Sequence, residues 1–398
     1  MRRQTAGRIA FLASLVFFLV LSNYIGEWYV YHQMGFDSNF RFENGAHVKS
    51  DTLDLYTDYM ARQKGCKIAV IGDSVVQGAG VPEGEQTITA HLEEELRGSY
   101  LPEARVFNCG FPGGRPADLY MAVKSLHEAG AVQFFMINIS YPFFSDEMAK
   151  DPLLYFKVWF YQLTDEQKKE LNIPAEMPPD QPVKTDSAEA AGGSAVETLL
   201  QKKISEYWSV YRFRQELNRF LFGGRPAAKG REYYDLAFKG IMPEAEEPAE
   251  QEQEPFSEKD KPENKYNVWT SFPWSEEDKA HLKKVFDVTG KDNVDFKYYR
   301  ELCRYLEENE IPAVIFLSPV NHALLQRYQL LDYDAYEKNT GIIAQAALQR
   351  DIAFFNYQDA IPQELFHDSL HMLDGGNAAM AELLSRDLRP YLQGVHAR

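Results

Sequence analysis

Three residues, far apart in the chain, could together perform nucleophilic chemistry. Ser74 stands in "IGDSVVQGAG", residues 71–80, where an apolar run stops. Asp368 and His371 stand in "FHDSLHMLDGG", close to the C-terminus. A serine hydroxyl is a poor nucleophile until a base takes its proton. That base is usually a histidine held in one tautomer by a carboxylate. Asp368 and His371 are close enough in sequence to come from one loop, the carboxylate orienting the imidazole and the imidazole facing Ser74. The chemistry would be acyl transfer through a serine ester.

The elements that must position these residues follow from periodicity. "CKIAVIGDS" sets Ile68, Ala69, Val70 and Ile71 in a row and closes on Gly72, which predicts a buried strand. "QTITAHLEEELRG" spaces Ile88, Leu92 and Leu96 as one helical face, with Gly98 suited to the helix end. "ARVFNCGFPGG" predicts a short strand ending in glycines, and "PADLYMAVKSLHEAG" a helix opening on Pro116. "VQFFMINIS" predicts a third strand. The rhythm resumes with a helix in "DFKYYRELCRYLEENE" and a strand over Ile311 to Pro319. A helix in "YEKNTGIIAQAALQR" and a strand over Ile352 to Tyr357 follow. The closing helix has Asn377 as its expected cap and Met380, Leu383, Leu384 and Leu388 as its apolar stripe.

Strands alternating with helices predict an α/β fold: a parallel sheet with helices on its faces. Ligands of such sheets bind beyond the carboxyl ends of the strands. Ser74 falls there after the first strand, and Gly110, Gly113 and Gly114 fall there after the second.

Residues 146–292 break the rhythm and predict a helical insertion. "PPDQPVKTDSAEAAGGSA" and "PEAEEPAEQEQEPFSEKDKPENK" read as its two mobile linkers. The acidic one is most simply a solvated spacer. Tyr155, Phe156, Trp159, Phe160 and Tyr161 have helical spacing. Packing on the core is the plainer use of that run, and a platform for sugar rings the sharper one.

The N-terminus predicts a membrane anchor. Arg2, Arg3 and Arg8 precede an uncharged stretch from Ile9 to Gly26, long enough to cross the hydrocarbon core as a helix. Trp28, Tyr29 and Tyr31 follow where an interfacial belt would lie. Arginines before the span and Glu27 after it place the N-terminus inside and the remainder on the extracytoplasmic side of the cell membrane. A cleaved signal peptide is the rival; the length of the run and the lack of a small-x-small site favour an anchor. A buried core helix is the third and weakest reading. The expected organisation is a cytoplasmic tip and anchor (1–31), a connector (32–65), two halves of one α/β domain (66–145 and 293–398) and the insertion between them.

Composition narrows the partners. A net charge of −17 at pH 7 argues against nucleic acid, whose phosphates want a basic patch. Cys66, Cys109 and Cys303 form no CxxC or Cys/His cluster, so neither a metal site nor a disulfide scaffold is indicated, and no cofactor motif is found.

"IGDSVVQGAG", then "FNCGFPGG", then "DSLH" resembles the SGNH, or GDSL-type, hydrolase superfamily, over about residues 66–145 and 293–395. The resemblance implies a flavodoxin-like fold in three layers. Its serine block matches Gly72, Asp73 and Ser74, and its DxxH block matches Asp368 and His371. Its oxyanion glycine follows an asparagine by the spacing of Asn108 and Gly113. One block departs. The family's GxND after the third strand supplies an oxyanion asparagine, whereas here the strand ends "MINISYPFFSD" with Asn138 inside it. Ser140 is the nearest substitute by position. The backbone amides of Ser74 and Gly113 are the other expected oxyanion donors. A missing donor can cost roughly a hundredfold in turnover. Anchored SGNH-like proteins that acylate cell-envelope polymers also depart from the four-block pattern. Such proteins take acyl groups, often acetyl, from a membrane-bound O-acyltransferase partner.

Each residue also has a plainer use. Asp-Ser after a strand is an ordinary turn or helix cap. Asp73 is given a structural part, bonding nearby amides. Gly110 could simply permit a tight turn. His367 lacks the family offset, and His322, after "FLSPVN", reads as a solvated loop residue or a substrate contact. Arg115 reads as a surface charge or a partner for an anionic substrate. The expectation is an anchored, exported serine esterase or O-acyltransferase acting on an acyl-bearing polysaccharide. A non-catalytic scaffold binding glycan or a partner is the alternative, and a lipase or thioesterase the third.

Overall fold

The computed structural model describes residues 52–148, 164–170, 275–288 and 293–396, together with most of 16–31, residues 36, 37 and 39–42, and residues 14, 208 and 210. The basic tip, the aromatic run at 155–161 and both linkers lie outside the described residues, as do nearly all the helix-like pieces expected in the insertion.

Five strands form the sheet: β1 Cys66–Gly72, β2 Ala104–Gly110, β3 Phe134–Ile139, β4 Ala313–Leu317 and β5 Ala353–Asn356. All neighbours are parallel, in the order β2-β1-β3-β4-β5. This is the doubly wound order of flavodoxin-like sheets, whose direction reverses between β1 and β3. Every residue of β1 and β3 is buried. Burial on both faces is why these strands read as unbroken apolar runs.

The described helices of the sheet domain are α1 Thr52–Arg62, α2 Ser74–Gln77, α3 Ile88–Ser99, α4 Pro116–Glu128, α5 Glu276–Val285, α6 Val294–Glu308, α7 His322–Arg327, α8 Tyr333–Leu348 and α9 Asp374–His396, with a short helix at Asp165–Glu170 and helical residues 16–26 besides. On one face Ile68, Val70, Met136 and Phe316 share a core with Leu92 and Leu96 of α3 and Met380, Leu384 and Leu388 of α9. On the other, α4 packs against α6, and α8 against α6 and β5. Helix, sheet and helix therefore make three layers.

Two helix ends differ from expectation. Helix α3 runs through Gly98 to Ser99, and the residue that caps it is Thr87, at its start, whose hydroxyl accepts from the Ala90 amide. Helix α9 begins at Asp374, so Asn377 lies within its first turn and is not its cap. The Asn377 side chain instead donates to the Gln86 carbonyl at 2.8 Å, tying α9 to the loop before α3.

Residues 37–178 and 255–398 form one compact unit; residues 1–36 and 179–254 are assigned to a second, most of which lies outside the described residues. Residues 16–26 are helical, and Val16, Phe17, Phe18, Val20 and Ile25 are exposed. Among the described residues no helix is long and apolar enough to cross a membrane, and residues 9–13 and 15 of the expected span lie outside them.

Candidate active site

Sequence around Ser74 forces a sharp turn from strand to helix. Strand β1 ends at Gly72, and Asp73 caps the four-residue helix α2 by accepting from the Val75 amide at 2.9 Å. Gly78, with φ +87°, stops that helix after a single turn. A Cβ on Gly72 would come within 2.5 Å of Val76 Cγ2 and 2.8 Å of Asn138 Cβ. A Cβ on Gly110 would lie 2.1 Å from the Gln77 nitrogen. Both glycines therefore serve close approach: Gly72 lets α2 and β3 close in on the end of β1, and Gly110 lets the end of β2 lie against α2. Asn108 completes the junction, its amide donating to Val76 O at 2.9 Å and its oxygen accepting from Gly110 N at 3.0 Å.

The acid–base pair comes from a closed loop before α9. Phe366 and Met372 form an antiparallel bridge, and the His367 amide donates to His371 O at 2.8 Å. Asp368 Oδ1 accepts from the amides of Leu370 and His371 at 2.9 and 2.8 Å. Asn321, after β4, holds the loop from below: its side chain donates to Asp368 O at 3.1 Å and its backbone N–H to Ser369 O at 2.9 Å.

The two regions meet. His371 Nδ1 lies 2.7 Å from Asp368 Oδ2, and His371 Nε2 lies 2.7 Å from Ser74 Oγ. With the Nδ1 proton donated to Asp368, Nε2 is left to accept the Ser74 hydroxyl, the tautomer a general base requires. His371 and Asp368 side chains are 21% and 23% exposed, so the pair sits at the surface of the crevice within reach of solvent. Burial opposes ionisation of Asp368, but the His371 charge, its hydrogen bond and the two amides hold the carboxyl well below its usual range. Burial likewise opposes charging of His371; the Asp368 carboxylate, its hydrogen bond and the Asp73 charge outweigh it and raise the imidazole pKa above 6.5.

Two backbone donors face no internal acceptor. The amides of Ser74, in the first turn of α2, and of Gly113 make no hydrogen bond within the described residues. Gly113 has φ +75° and open space around it. Ser140, the third expected donor, does not fit that part. It is 1% exposed, and its hydroxyl donates to Asp73 Oδ2 at 2.7 Å. The Ser318 hydroxyl lies 3.1 Å beyond it. Asn138 lies inside β3, fully buried under Gly72, and neither polar atom of its side chain finds a partner.

The rival residues are occupied elsewhere. His322 Nδ1 hydrogen-bonds the Tyr333 hydroxyl at 3.2 Å, and its Nε2 lies 2.8 Å from Asp359 Oδ1, an ion-pair contact without hydrogen-bond geometry. The Ser74 hydroxyl meets His371, not His367. Arg115 is not a surface charge: it is 5% exposed and forks onto buried Asp295 through Nε and Nη2, the latter at 2.7 Å. Sequence reasoning missed two features. Asp73 is buried near His371, whose imidazole its charge acts on, with Ser140 on its Oδ2. Arg41, in the connector, reaches the loop after α2. The Asp-Ser pair hinted at the first; nothing in the spacing hinted at the second.

No family model matches the chain, and no curated protein matches it.

Proposed function

We propose that the chain is an anchored, exported serine acyl-transfer enzyme of the SGNH kind, an O-acetyltransferase or O-acetylesterase working on a cell-envelope or exported polysaccharide. The observation that carries the reading is the unbroken relay from Ser74 Oγ through His371 to Asp368, with 2.7 Å at each step. In this mechanism Ser74 Oγ attacks the acyl carbon while His371 Nε2 takes its proton. The oxyanion is held by the Ser74 and Gly113 amides. His371 then returns the proton to the leaving oxygen, and the acyl group stays on Ser74 as an ester. A second hydroxyl, deprotonated by His371, releases it: water makes an esterase, a sugar hydroxyl an O-acyltransferase.

The polymer, and a membrane-bound O-acyltransferase as acyl donor, rest on resemblance. Supporting the anchor are the exposed apolar side chains of residues 16–25 and the arginines before them. About 15 residues separate Gly26 from Arg41, a reach of at most about 50 Å even fully extended, so an anchored domain would work close to the bilayer.

The test is a burst of p-nitrophenolate from p-nitrophenyl acetate, followed by mass spectrometry for an acetyl adduct on Ser74. Wild type behaving like Ser74→Ala would instead favour a non-catalytic scaffold that binds glycan or a partner. Added acceptor sugar that diverts acetyl from water distinguishes transferase from esterase. Rates that climb with acyl chain length would point to a lipase or thioesterase.

A further inference from the structure

We infer that Arg41 is a positioning residue for the Ser74–His371 pair, acting through the loop at residues 78–82; its catalytic readout rests on the acyl-transfer reading above. One guanidinium gathers three carbonyls of that loop. Arg41 Nη1 donates to Gly78 O at 3.2 Å and to Val81 O at 2.9 Å, and Nη2 donates to Pro82 O. The flanking backbone is fitted to the same region. Gln77 Nε2 donates to Phe42 O at 3.1 Å, and a Cβ on Gly84 would lie 2.1 Å from Asn39 O. The Phe42 ring seals the junction against Phe111 and Tyr56, with centroids at 5.1 and 5.7 Å.

The other side of the loop touches the catalytic pair. The Gly78 and Ala79 amides both donate to Ser74 O at 3.0 Å. Gly80 lies against the acid–base loop, where a Cβ would stand 2.2 Å from Met372 O and 3.2 Å from His371 Cβ. The 78–82 loop is thus bonded to Ser74, pressed on His371 and held from outside by Arg41. A segment that reads in sequence as a polar connector is part of the site's frame. Reacting groups misplaced by about 1 Å can lose roughly a hundredfold in rate.

Arg41→Ala in the full-length chain is the test, with Arg41→Lys beside it. Expected for Arg41→Ala is a kcat for p-nitrophenyl acetate about tenfold to a hundredfold lower, with KM changed less than about twofold. The His371 imidazole resonances move, and the melting transition stays within a few degrees. Lysine reaches fewer carbonyls from a single point and restores part of the rate. A wild-type kcat, or a loss of kcat that only tracks a loss of folded protein while the His371 resonances stay put, overturns the inference. Should the wild type itself prove inert, the acyl-transfer reading fails, and the His371 resonances of Arg41→Ala still decide whether Arg41 positions the pair.

Discussion

Arg115–Asp295 and His371–Asp368 each set a basic side chain against a carboxylate: Arg115 just before α4 on Asp295 in the first turn of α6, and His371 on Asp368 within the loop before α9. Their surroundings separate them. The first pair is 6% and 0% exposed, with the guanidinium forked across both carboxylate oxygens. The second is 21% and 23% exposed, and its outer nitrogen rests on the Ser74 hydroxyl, which in the proposed mechanism attacks the acyl carbon. A closed pair joins the start of α4 to the start of α6, and so fastens the two halves of the domain across the insertion. An open pair keeps one displaceable partner and a route to solvent. Charge proximity alone does not mark a catalytic group.

Asp368→Asn is the sharpest break on the open side. It keeps the shape but holds the wrong imidazole tautomer, and kcat should fall roughly a thousandfold to ten-thousandfold in protein that still folds. A rate within tenfold of wild type would remove Asp368 from the relay.

Arg115→Met is the matching break on the closed side. It leaves Asp295 buried without its partner and should cost about 3–5 kcal/mol of stability in urea unfolding. Burial already pushes the Asp295 carboxyl up to about 6, with Arg115 pulling the other way. Without Arg115 the folded-state carboxyl holds its proton to still higher pH, and the unfolded one ionises near 3.8. The cost should therefore grow from pH 5 to pH 8 and shrink on acidification. An equal cost at both pH values would contradict the buried-charge account.

Gly80→Ala tests how tightly the open side is framed. The new methyl meets Met372 O and His371 Cβ, so kcat should fall about tenfold while Ser140→Ala, deeper in the site, leaves the oxyanion amides in place and costs less. Equal, negligible effects would mean that the loops yield freely.

Asp73→Asn gives the smallest effect, read in the pH profile. If His371 is the general base of the proposed acyl transfer, activity needs it neutral and should rise with pH through a midpoint above 6.5. Asp73 helps to raise that midpoint, and its removal should lower it. The sign for stability is opposite. The proton His371 retains in the folded state contributes stability below pH 6.5, and the contribution is lost as pH rises through the raised pKa. An unmoved midpoint would show that Asp73 does not act on the imidazole.

Much of the sheet was legible because the strands buried on both faces leave continuous apolar runs, as in Ile68–Ile71. The turn at Ser74 and the Asp368–His371 loop were legible because a turn geometry and a one-loop offset are local. Ser140 was misread for the opposite reason. Its position in the chain matched an oxyanion donor, but its hydroxyl turns to Asp73, a choice made by packing between β1, β3 and β4.

The sequence by itself determined the strand–helix order, the burial of the strands, and the residue types that meet as hydroxyl, imidazole and carboxylate. Those depend on period and composition over short windows. Only the tertiary structure decided that Arg115 closes on Asp295, that Asn377 ties down a loop instead of capping a helix, and that Arg41 grips the segment behind His371. Each is a contact between segments far apart in the chain. Such a partner is chosen by which backbone carbonyl or carboxylate the fold brings within reach, and no local pattern records that.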